Sequence, residues 1–491
     1  MKPPRNALVL AFDIGTSSLR TALFDARGRR LEATTARRSY QVRRTEDGCA
    51  ELAPEILWRA VSVCLARTLA RRRRDKSLGA RPIVAAGTSC FWHSILGVDD
   101  RGRALTPVYT WADSRCRDDA ARLRRRLSER AVQARTGCMV RASYWPAKLC
   151  WLRRTRPRLF RSVSVWMSPG EWLQGRFCGR ANCGSSMASG TGLFNPSTLD
   201  WDDGMLRICR VTRRVLNPLD EAPVAVTAGT ARRFPELRGA RWYPAMGDGA
   251  ASNLGSGATR PGLAAINFGT SGAVRVVRWG RRARVPFGLF CYRVDAGRFL
   301  VGGAVSNAGN LHAWALRELN LPDDPEELER ALAARPFPMN HLAVLPFWVS
   351  ERAPTWPEDA RGAVLGVTQA TTALDFLQAM REAAFYRLAW IADLTARATG
   401  RRLRFVVSGG LQRSPAGMRR LANVLGRELI VCKEPEASLR GAAVFVLEKL
   451  GGKIAAPSSG RVIRPQPAVA RQYAAARRRA LNLERRLAEI L

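Results

Sequence analysis

The alternation of apolar and polar positions near the N-terminus predicts a β-hairpin. Within residues 8–29, an apolar run is interrupted by Asp13, passes through four small residues at 15–18, and is followed by a second apolar run that ends in a turn. Short Gly-containing loops between apolar runs are typical of hairpins. Residues 264–277 repeat this order around a second Gly-Thr-Ser turn. The repetition about half a chain away predicts two domains of like architecture.

Other stretches have different periodicities. Apolar residues recur at helical spacing from Leu374 to Ile391, and Gly400 ends the pattern, which predicts a long helix. Residues 405–410 indicate a strand that ends in a Gly-Gly turn, and the small residues of 248–258 allow close packing and a hinge. We expect an N-terminal domain at 1–257, a C-terminal domain at 258–455 and an Arg-rich helical tail at 456–491.

The charge of the chain is strongly positive. The 491 residues include 80 Lys and Arg against 41 Asp and Glu, a formal net charge of +39. Such an excess suits a protein that binds nucleic acid, but recognition modules concentrate their charge on one face and interleave aromatic residues there. Here the Arg residues are spread over the whole length, so we favour an ordinary basic surface that attracts anions in general. No specific nucleic-acid partner is expected.

The cysteines and the hydropathy favour a cytoplasmic protein. Eleven Cys occur without a C-x-x-C pair, and three His are present, so a zinc site is not expected. The Cys residues stand mostly in apolar settings, which favours reduced, buried thiols over a disulfide framework. No run approaches the roughly 18 uninterrupted apolar residues of a membrane span, so no membrane partner is expected.

The two Gly-Thr-Ser turns are candidates for binding phosphate. A tight Gly turn exposes consecutive backbone N–H groups, and Thr and Ser hydroxyls add donors without bulk. Asp13 then fits the carboxylate that holds, through water, a magnesium ion bridging those phosphates. One Gly-Thr-Ser alone is more often only a turn, but two of them and a Gly-Gly turn after a third strand favour a phosphate site.

Several motifs in this order resemble the FGGY carbohydrate kinases, which are relatives of actin and of the heat-shock chaperone ATPase. These motifs are FDIGTSS, GTSCFWHSILGVDDRGRALTPVYTWADSR, GDGAASNLGSG, INFGTSGAVR, GGAVSNAGN, LPFWVSERAPTW and VVSGGLQRSP. The resemblance spans essentially the whole chain and is greatest to the gluconokinase-like branch. It implies an α/β fold of two ribonuclease-H-like domains with a catalytic cleft between them, and ATP and Mg²⁺ as cofactors.

The resemblance also implies roles for individual residues. Asp248 matches the catalytic base, although its position before a helix also suits an N-cap, and Asp13 would act in catalysis through the metal. The residues matching the nucleotide site are Thr16, Ser17, Ser18, Arg20, Gly269, Thr270, Gly309, Gly410 and Ser414. The residues matching the sugar site are Trp92, His93, Trp111 and Asp113; Trp92, His93 and Trp111 also suit a core.

The favoured function is the ATP-dependent phosphorylation of D-gluconate to 6-phosphogluconate. We expect Ser94 to narrow the sugar pocket and to add a hydroxyl donor, whereas the cationic partner of the gluconate carboxylate is not evident from the sequence. The first alternative is a xylulokinase or another ketose or polyol kinase of the same family. A non-catalytic nucleic-acid-binding or regulatory relative and a chaperone-like ATPase are further alternatives. The sequence leaves a homodimer open.

Overall fold

A computed structural model describes residues 4–280, 285–335, 337–338 and 341–487. The strands in this part of the chain are β1 (Leu8–Ile14), β2 (Ser18–Asp25), β3 (Ala36–Ser39), β4 (Arg43–Arg44), β5 (Ala50–Leu52), β6 (Ile83–Cys90), β7 (Leu96–Val98), β8 (Val108–Tyr109), β9 (Val165–Met167), β10 (Phe194–Asn195), β11 (Asp200–Trp201), β12 (Val224–Ala225), β13 (Arg241–Trp242), β14 (Met246–Gly247), β15 (Leu263–Phe268), β16 (Gly272–Trp279), β17 (Phe290–Asp295), β18 (Arg298–Val305), β19 (Ala343–Leu345), β20 (Ala363–Leu365), β21 (Arg404–Ser408), β22 (Leu429–Cys432) and β23 (Ser459–Ile463).

Helices alternate with these strands, as in α/β proteins. The α-helices in the described residues are α1 (Pro54–Arg74), α2 (Lys76–Gly79), α3 (Arg117–Arg126), α4 (Glu129–Thr136), α5 (Trp145–Thr155), α6 (Pro157–Ser162), α7 (Pro169–Cys178), α8 (Ser185–Ser189), α9 (Asp203–Cys209), α10 (Ala228–Arg233), α11 (Asp248–Gly255), α12 (Gly309–Glu318), α13 (Pro325–Ala334), α14 (Ala373–Thr399), α15 (Pro415–Leu425), α16 (Ala437–Lys449) and α17 (Pro467–Leu487).

In the N-terminal sheet, the parallel strands β1, β6 and β14 end next to one another. Its strand order is β12-β13-β6-β1-β2-β3, and β14 pairs with the end of β6. The predicted hairpin is present as antiparallel β1 and β2, while β1 and β14 both run parallel to β6. Asp13 is the Cα partner of Ser89, and Ser89 is in turn the partner of Met246. Asp13 and the strand that precedes Asp248 therefore flank the same end of β6.

The C-terminal sheet repeats this arrangement. Its order is β17-β18-β16-β15-β21-β22-β23, with the hairpin β15-β16 antiparallel and β21 parallel to β15. In both sheets, the first strand of the hairpin therefore pairs antiparallel with the second strand on one side and parallel with a later strand on the other side. This confirms the predicted two-domain α/β fold.

The long predicted helix is α14, which begins at a Thr372–Asp375 capping box and ends at left-handed Gly400. Helix α16, near the C-terminus, instead packs on the N-terminal sheet beside Val9 and Ala11. It crosses α11 so closely that a Cβ added at Gly441 would lie 1.8 Å from the Ala251 oxygen. The small residues predicted to permit close packing therefore form a helix crossing.

The predicted tail 456–491 is described up to residue 487, and residues 456–487 contain more than the expected helix. Strand β23 pairs antiparallel with β22 at the edge of the C-terminal sheet. The helix α17 follows, and the Tyr473 side chain on it is fully buried against α14. This segment is part of the C-terminal core.

Two further expectations concern the thiols and the membrane. All eleven cysteines are unpaired and buried, as predicted. Within the described ranges, no helix is both long and apolar enough to cross a bilayer.

Candidate active site

A cavity of about 240 Å³ lies between the turns of the two hairpins. Thr16 lines it from the first hairpin and Ser271 from the second, and Asp248 lies in its wall. A cleft of about 1100 Å³ adjoins it and shares Thr16, Trp111 and Arg352 with it. The site therefore has a small inner chamber and a larger outer cleft, both lined by the two halves of the chain.

Asp248 is held at a tight junction between β14 and α11. The Gly247 N–H donates to the Ser186 hydroxyl at 3.1 Å, and the Gly249 N–H donates to the Asp248 carboxylate at 2.7 Å. The Trp92 indole lies on both glycines, since a Cβ at Gly247 or Gly249 would fall 1.7 or 2.8 Å from its ring. Only glycine fits on either side of Asp248.

The electrostatic setting of Asp248 suits a proton acceptor. The carboxyl is accessible from the cavity but otherwise enclosed by protein, and this desolvation raises its pKa, while the Arg275 guanidinium opposes the rise. A raised pKa brings a carboxylate closer to the range where general bases work. Asp248 occupies the first turn of α11, where the helix dipole stabilises its ionised form.

Trp92 and His93 form one wall of the cavity. The indole N–H of Trp92 donates to the Ser186 carbonyl at 2.9 Å, which fixes the plane of the ring. His93 has a positive φ of 65°, and its Nδ1 is within hydrogen-bond distance of the Gly190 carbonyl. Burial lowers the pKa of His93 to about 3, so the imidazole is neutral. With Nδ1–H donating to Gly190, Nε2 remains an acceptor for a hydroxyl.

The neighbouring segment contains one correction. Trp111 lines the cavity, and its indole N–H donates to the Thr16 hydroxyl at 3.1 Å. Ser94 does not line it: this fully buried hydroxyl donates to the Trp92 carbonyl at 3.3 Å and accepts from the Trp111 N–H at 3.0 Å. The expectation that Ser94 supplies a donor to the sugar is therefore wrong, because its hydrogen bonds join the two tryptophan segments.

Asp113 lies farther out than the other predicted sugar-binding residues. It lines the outer cleft, where Arg115 binds its carboxylate at 2.6 Å and the Ala50 N–H donates to it at 3.1 Å. Both interactions satisfy the carboxylate within the protein. In the structure, Asp113 holds the Trp111 segment against β5.

Two arginines that sequence reasoning missed lie in the cavity wall. Arg275 projects from β16, and its guanidinium makes no hydrogen bond to any residue the structure describes. Arg352 donates to the Ser306 hydroxyl and the Val305 carbonyl, both at 3.1 Å, and its guanidinium lies 5.3 Å from the Trp111 ring centre. The sequence does contain a signal for Arg275, because this residue places a charge within the apolar run 273–277.

The first Gly-Thr-Ser turn directly follows the strand that bears Asp13. Ser89 donates to its carboxylate at 2.8 Å, and Arg20 lies 3.4 Å away while also pairing with Glu436 at 2.9 Å. The turn is closed by a hydrogen bond from the Gly15 N–H to the Ser18 carbonyl. Thr16 and Ser17 line the outer cleft.

Asp13 fits the divalent cation that a nucleotide would bring. Burial raises the pKa of Asp13 to about 6, against the opposing effects of Ser89 and Arg20. Its negative charge is thus only partly compensated, and Mg²⁺ typically takes one or two carboxylates together with substrate phosphates and water. Among the described residues, the clustered potential metal ligands are elsewhere, at Cys49, Glu51 and Asp113, and Arg115 already binds both of those carboxylates.

The second Gly-Thr-Ser turn contacts the start of α12. The Gly309 and Asn310 N–H groups donate to the Gly269 and Thr270 carbonyls, each at 3.0 Å. A Cβ at Gly309 would lie 2.4 Å from the Gly269 oxygen, so the approach requires glycine. Gly269, Thr270 and Gly309 therefore form one unit.

Gly410 and Ser414 follow β21, the strand next to β15. The Asn267 side chain at the end of β15 donates to the Ser408 hydroxyl at 3.2 Å, which ties the two strand ends together. Ser414 caps α15, donates to Glu329 at 2.7 Å and accepts from Arg381 at 2.8 Å. The hydroxyl of Ser414 is thus already bound within the C-terminal domain.

Comparisons with known proteins match the whole arrangement. Residues 8–240 match the N-terminal domain model of the FGGY family of carbohydrate kinases, and residues 264–447 match its C-terminal domain model. The crystal structure of gluconate kinase from Lactobacillus acidophilus superposes with a TM-score of 0.89 at 23% identity, covering 98% of each chain.

Relatives named for different sugar substrates match this chain at almost the same sequence identity. The gluconokinase of Bacillus subtilis (strain 168) is 27% identical over 90% of this chain and 88% of that protein. The xylulose kinase of Escherichia coli (strain K12) is 26% identical over 86% of each. Identity alone therefore does not separate the substrates. The two domain models together span most of the chain and both Gly-Thr-Ser turns, so the chain belongs to the FGGY family of carbohydrate kinases and is a sugar kinase.

Proposed function

We propose that this kinase transfers the γ-phosphoryl group of ATP to the terminal hydroxyl of D-gluconate, forming 6-phosphogluconate, with Asp248 as general base. The observation that carries this proposal is Arg275, a guanidinium in the wall of the inner cavity without a hydrogen-bond partner in the described residues. It is the cationic partner that a sugar acid requires.

The energetics favour an anionic acceptor. A charge withdrawn from water is costly unless it is paired and hydrogen-bonded. The Asp248 carboxylate acts on Arg275 through its charge, but a neutral ketose or polyol would leave the guanidinium without a charge-assisted hydrogen bond in the closed site. A carboxylate would instead form charge-assisted hydrogen bonds with the guanidinium fork. Arg352, in the same cavity, adds a second positive charge.

The chain's own residues supply the remaining parts of the reaction. The Asp248 carboxylate accepts the proton of the attacking hydroxyl, while Trp92 and neutral His93 orient the carbon chain of the sugar acid. Backbone N–H groups and hydroxyls of the two Gly-Thr-Ser turns hold the ATP phosphates. Asp13 would hold Mg²⁺ through water, and the metal would neutralise charge that develops on the phosphates.

The test is substrate preference in wild type and in Arg275→Met. We expect the wild-type kcat/KM to be highest for D-gluconate in a panel with xylulose, ribulose, glycerol and erythritol, because dedicated polar sites reject analogues that leave them unpaired by about 10⁴-fold. Arg275→Met should lower kcat/KM for gluconate by at least about 10²-fold and affect neutral sugars far less.

Arg278→Met is the matched control, since Arg278 stands on the same strand β16 but does not line the cavity. It should leave the preference unchanged. A wild-type preference for a neutral ketose or polyol would withdraw gluconate and favour the xylulokinase or polyol kinase alternative. Equal losses for all acceptors in Arg275→Met would show that Arg275 serves the phosphoryl group or Asp248 instead of the substrate carboxylate.

A further inference from the structure

The C-terminal helix reaches the active-site wall through one buried carboxylate. Glu484, near the end of α17, accepts two hydrogen bonds from Arg387 of α14, at 2.7 and 2.8 Å, and a third from the Thr355 hydroxyl at 3.0 Å. Both charged side chains are buried. Glu484 lies beyond residue 447, where the match to the family's C-terminal domain model ends.

Arg387 connects this carboxylate to segment 351–356. Its guanidinium donates to the Ala353 carbonyl at 3.0 Å and to the Thr355 hydroxyl at 3.1 Å, and lies 3.7 Å from the Glu351 carboxylate. The same segment bears Arg352 and Trp356, which both line the inner cavity. The position of two cavity-wall residues is therefore tied to Arg387.

The network continues from the segment to the loop after β18. The Glu351 carboxylate accepts from the Ser306 N–H at 2.5 Å and from the Asn307 side chain at 3.2 Å. Ser306 also binds Arg352 and lines the outer cleft. These contacts form a continuous network from α17 to the outer cleft.

The charges of this network balance. Arg352 and Arg387 are matched by Glu351 and Glu484, and removal of one carboxylate would leave an uncompensated guanidinium in the interior. Breaking one partner of a buried ion pair is strongly destabilising for its immediate surroundings. Because Arg387 also holds Ala353 and Thr355, such a change would move the segment that bears Arg352 and Trp356.

We propose that Glu484 is a positioning residue for the active site: through Arg387, it holds segment 351–356 so that Arg352 and Trp356 form the sugar-facing wall. The C-terminal helix is then required for sugar binding as well as for stability. The proposal holds for whichever sugar the panel above identifies.

The experiment compares Glu484→Gln with Arg477→Gln in the full chain. Arg477 also joins α17 to α14, through an ion pair with Asp393 at 2.7 Å, but that pair is partly exposed and lies apart from the hydrogen bonds that hold segment 351–356 in the described structure. We expect Glu484→Gln to raise the KM for the sugar by roughly 10-fold or more, with little change in the KM for ATP. Arg477→Gln should change neither KM.

Hydrogen exchange provides a readout apart from activity. The Arg352 N–H donates to the Glu351 carboxylate at 2.7 Å and the Ala353 N–H donates to the Ala304 carbonyl at 3.0 Å. Glu484→Gln should speed amide exchange at both positions, while Arg477→Gln should leave it unchanged. Glu484→Asp, which retains the charge, should restore part of the sugar affinity. If Glu484→Gln folds poorly, Thr355→Val removes one arm of the network and should give a smaller rise in the same KM.

Two results would overturn the proposal. One is a sugar KM within twofold of wild type in both Glu484→Gln and Thr355→Val. The other is an equal rise in Arg477→Gln, which would mean that any loosening of α17 has this effect. Neither result bears on gluconate as the substrate, which depends on the wild-type panel and on Arg275.

Discussion

Substitution of Gly247 by Ala tests how the structure positions the proposed base. An added Cβ would lie 1.7 Å from Trp92 Cε2, 2.1 Å from Nε1 and 2.2 Å from Cζ2. Nonbonded carbon atoms pack at about 3.5–4.0 Å, so the ring and the backbone must separate by about 2 Å.

The Trp92 ring has little room to retreat. Its N–H is bound to the Ser186 carbonyl, and Gly190 also lies against the ring, since a Cβ added there would be 2.4 Å from the indole Cδ1. The displacement should therefore fall on the junction that bears Asp248. Overpacking of this kind costs about 1–3 kcal/mol of stability, and a misplacement of about 1 Å at a reacting group can lower the rate roughly 10²-fold.

The assay measures kcat by ADP release at a temperature well below unfolding, together with the thermal unfolding midpoint. Gly175→Ala is the control, because Gly175 lies inside α7 and its nearest neighbour is the Ala181 Cβ at 4.0 Å. That control should be neutral or more stable by up to about 1 kcal/mol. A Gly247→Ala enzyme with kcat within threefold of wild type would refute the inferred contact between Trp92 and the Asp248 junction.

Three further predictions concern the proposed base and the cleft. Asp248→Asn should lower kcat by about 10²- to 10⁴-fold while equilibrium binding of ATP is retained; a variant with more than about a tenth of the wild-type kcat would rule out the assignment. Because burial raises the pKa of Asp248 and Arg275 opposes the rise, kcat/KM should fall toward acid pH as the base is protonated, and the midpoint should move to higher pH in Arg275→Met; an unmoved midpoint in a pH–rate profile would contradict this coupling. The two Gly-Thr-Ser turns, proposed to hold the ATP phosphates together, belong to different sheets, so sugar plus nucleotide should close the cleft and reduce the radius of gyration in small-angle scattering; an unchanged radius would argue against closure.

The sequence by itself determined the local elements of this protein. The two hairpins, their Gly-Thr-Ser turns and the long helix α14 depend on periodicity, on glycine and on capping residues that lie within a few positions of one another. Patterns that extend over only a few neighbouring positions can be recognised in the sequence, so the structure of these elements could be predicted. The positions of Asp13 and Asp248 were likewise indicated by resemblance to the motifs of a family.

Tertiary structure alone decided which distant groups meet. Ser94 was expected in the sugar pocket, but it lies inside the wall, where its hydroxyl forms hydrogen bonds with Trp92 and Trp111. Helix α16 packs on the sheet of the other domain, although its sequence carries no sign of that partner. A local pattern shows that a face is apolar, but the topology determines which other apolar face covers it.

The arginines show this difference most clearly. In the sequence, Arg275, Arg387 and Arg440 are three of many, and their number indicated only a basic surface. In the fold, Arg440 binds the Gly28 and Gly255 carbonyls, Arg387 joins α17 to the active-site wall, and Arg275 faces the cavity. The role of a long cationic side chain is set by the groups within its reach, and these lie far away along the chain: 412 and 185 residues for the two carbonyls at Arg440, and 97 residues for Glu484 at Arg387. Their proximity is created only by tertiary packing, which acts within the C-terminal domain for Arg387 and between the domains for Arg440.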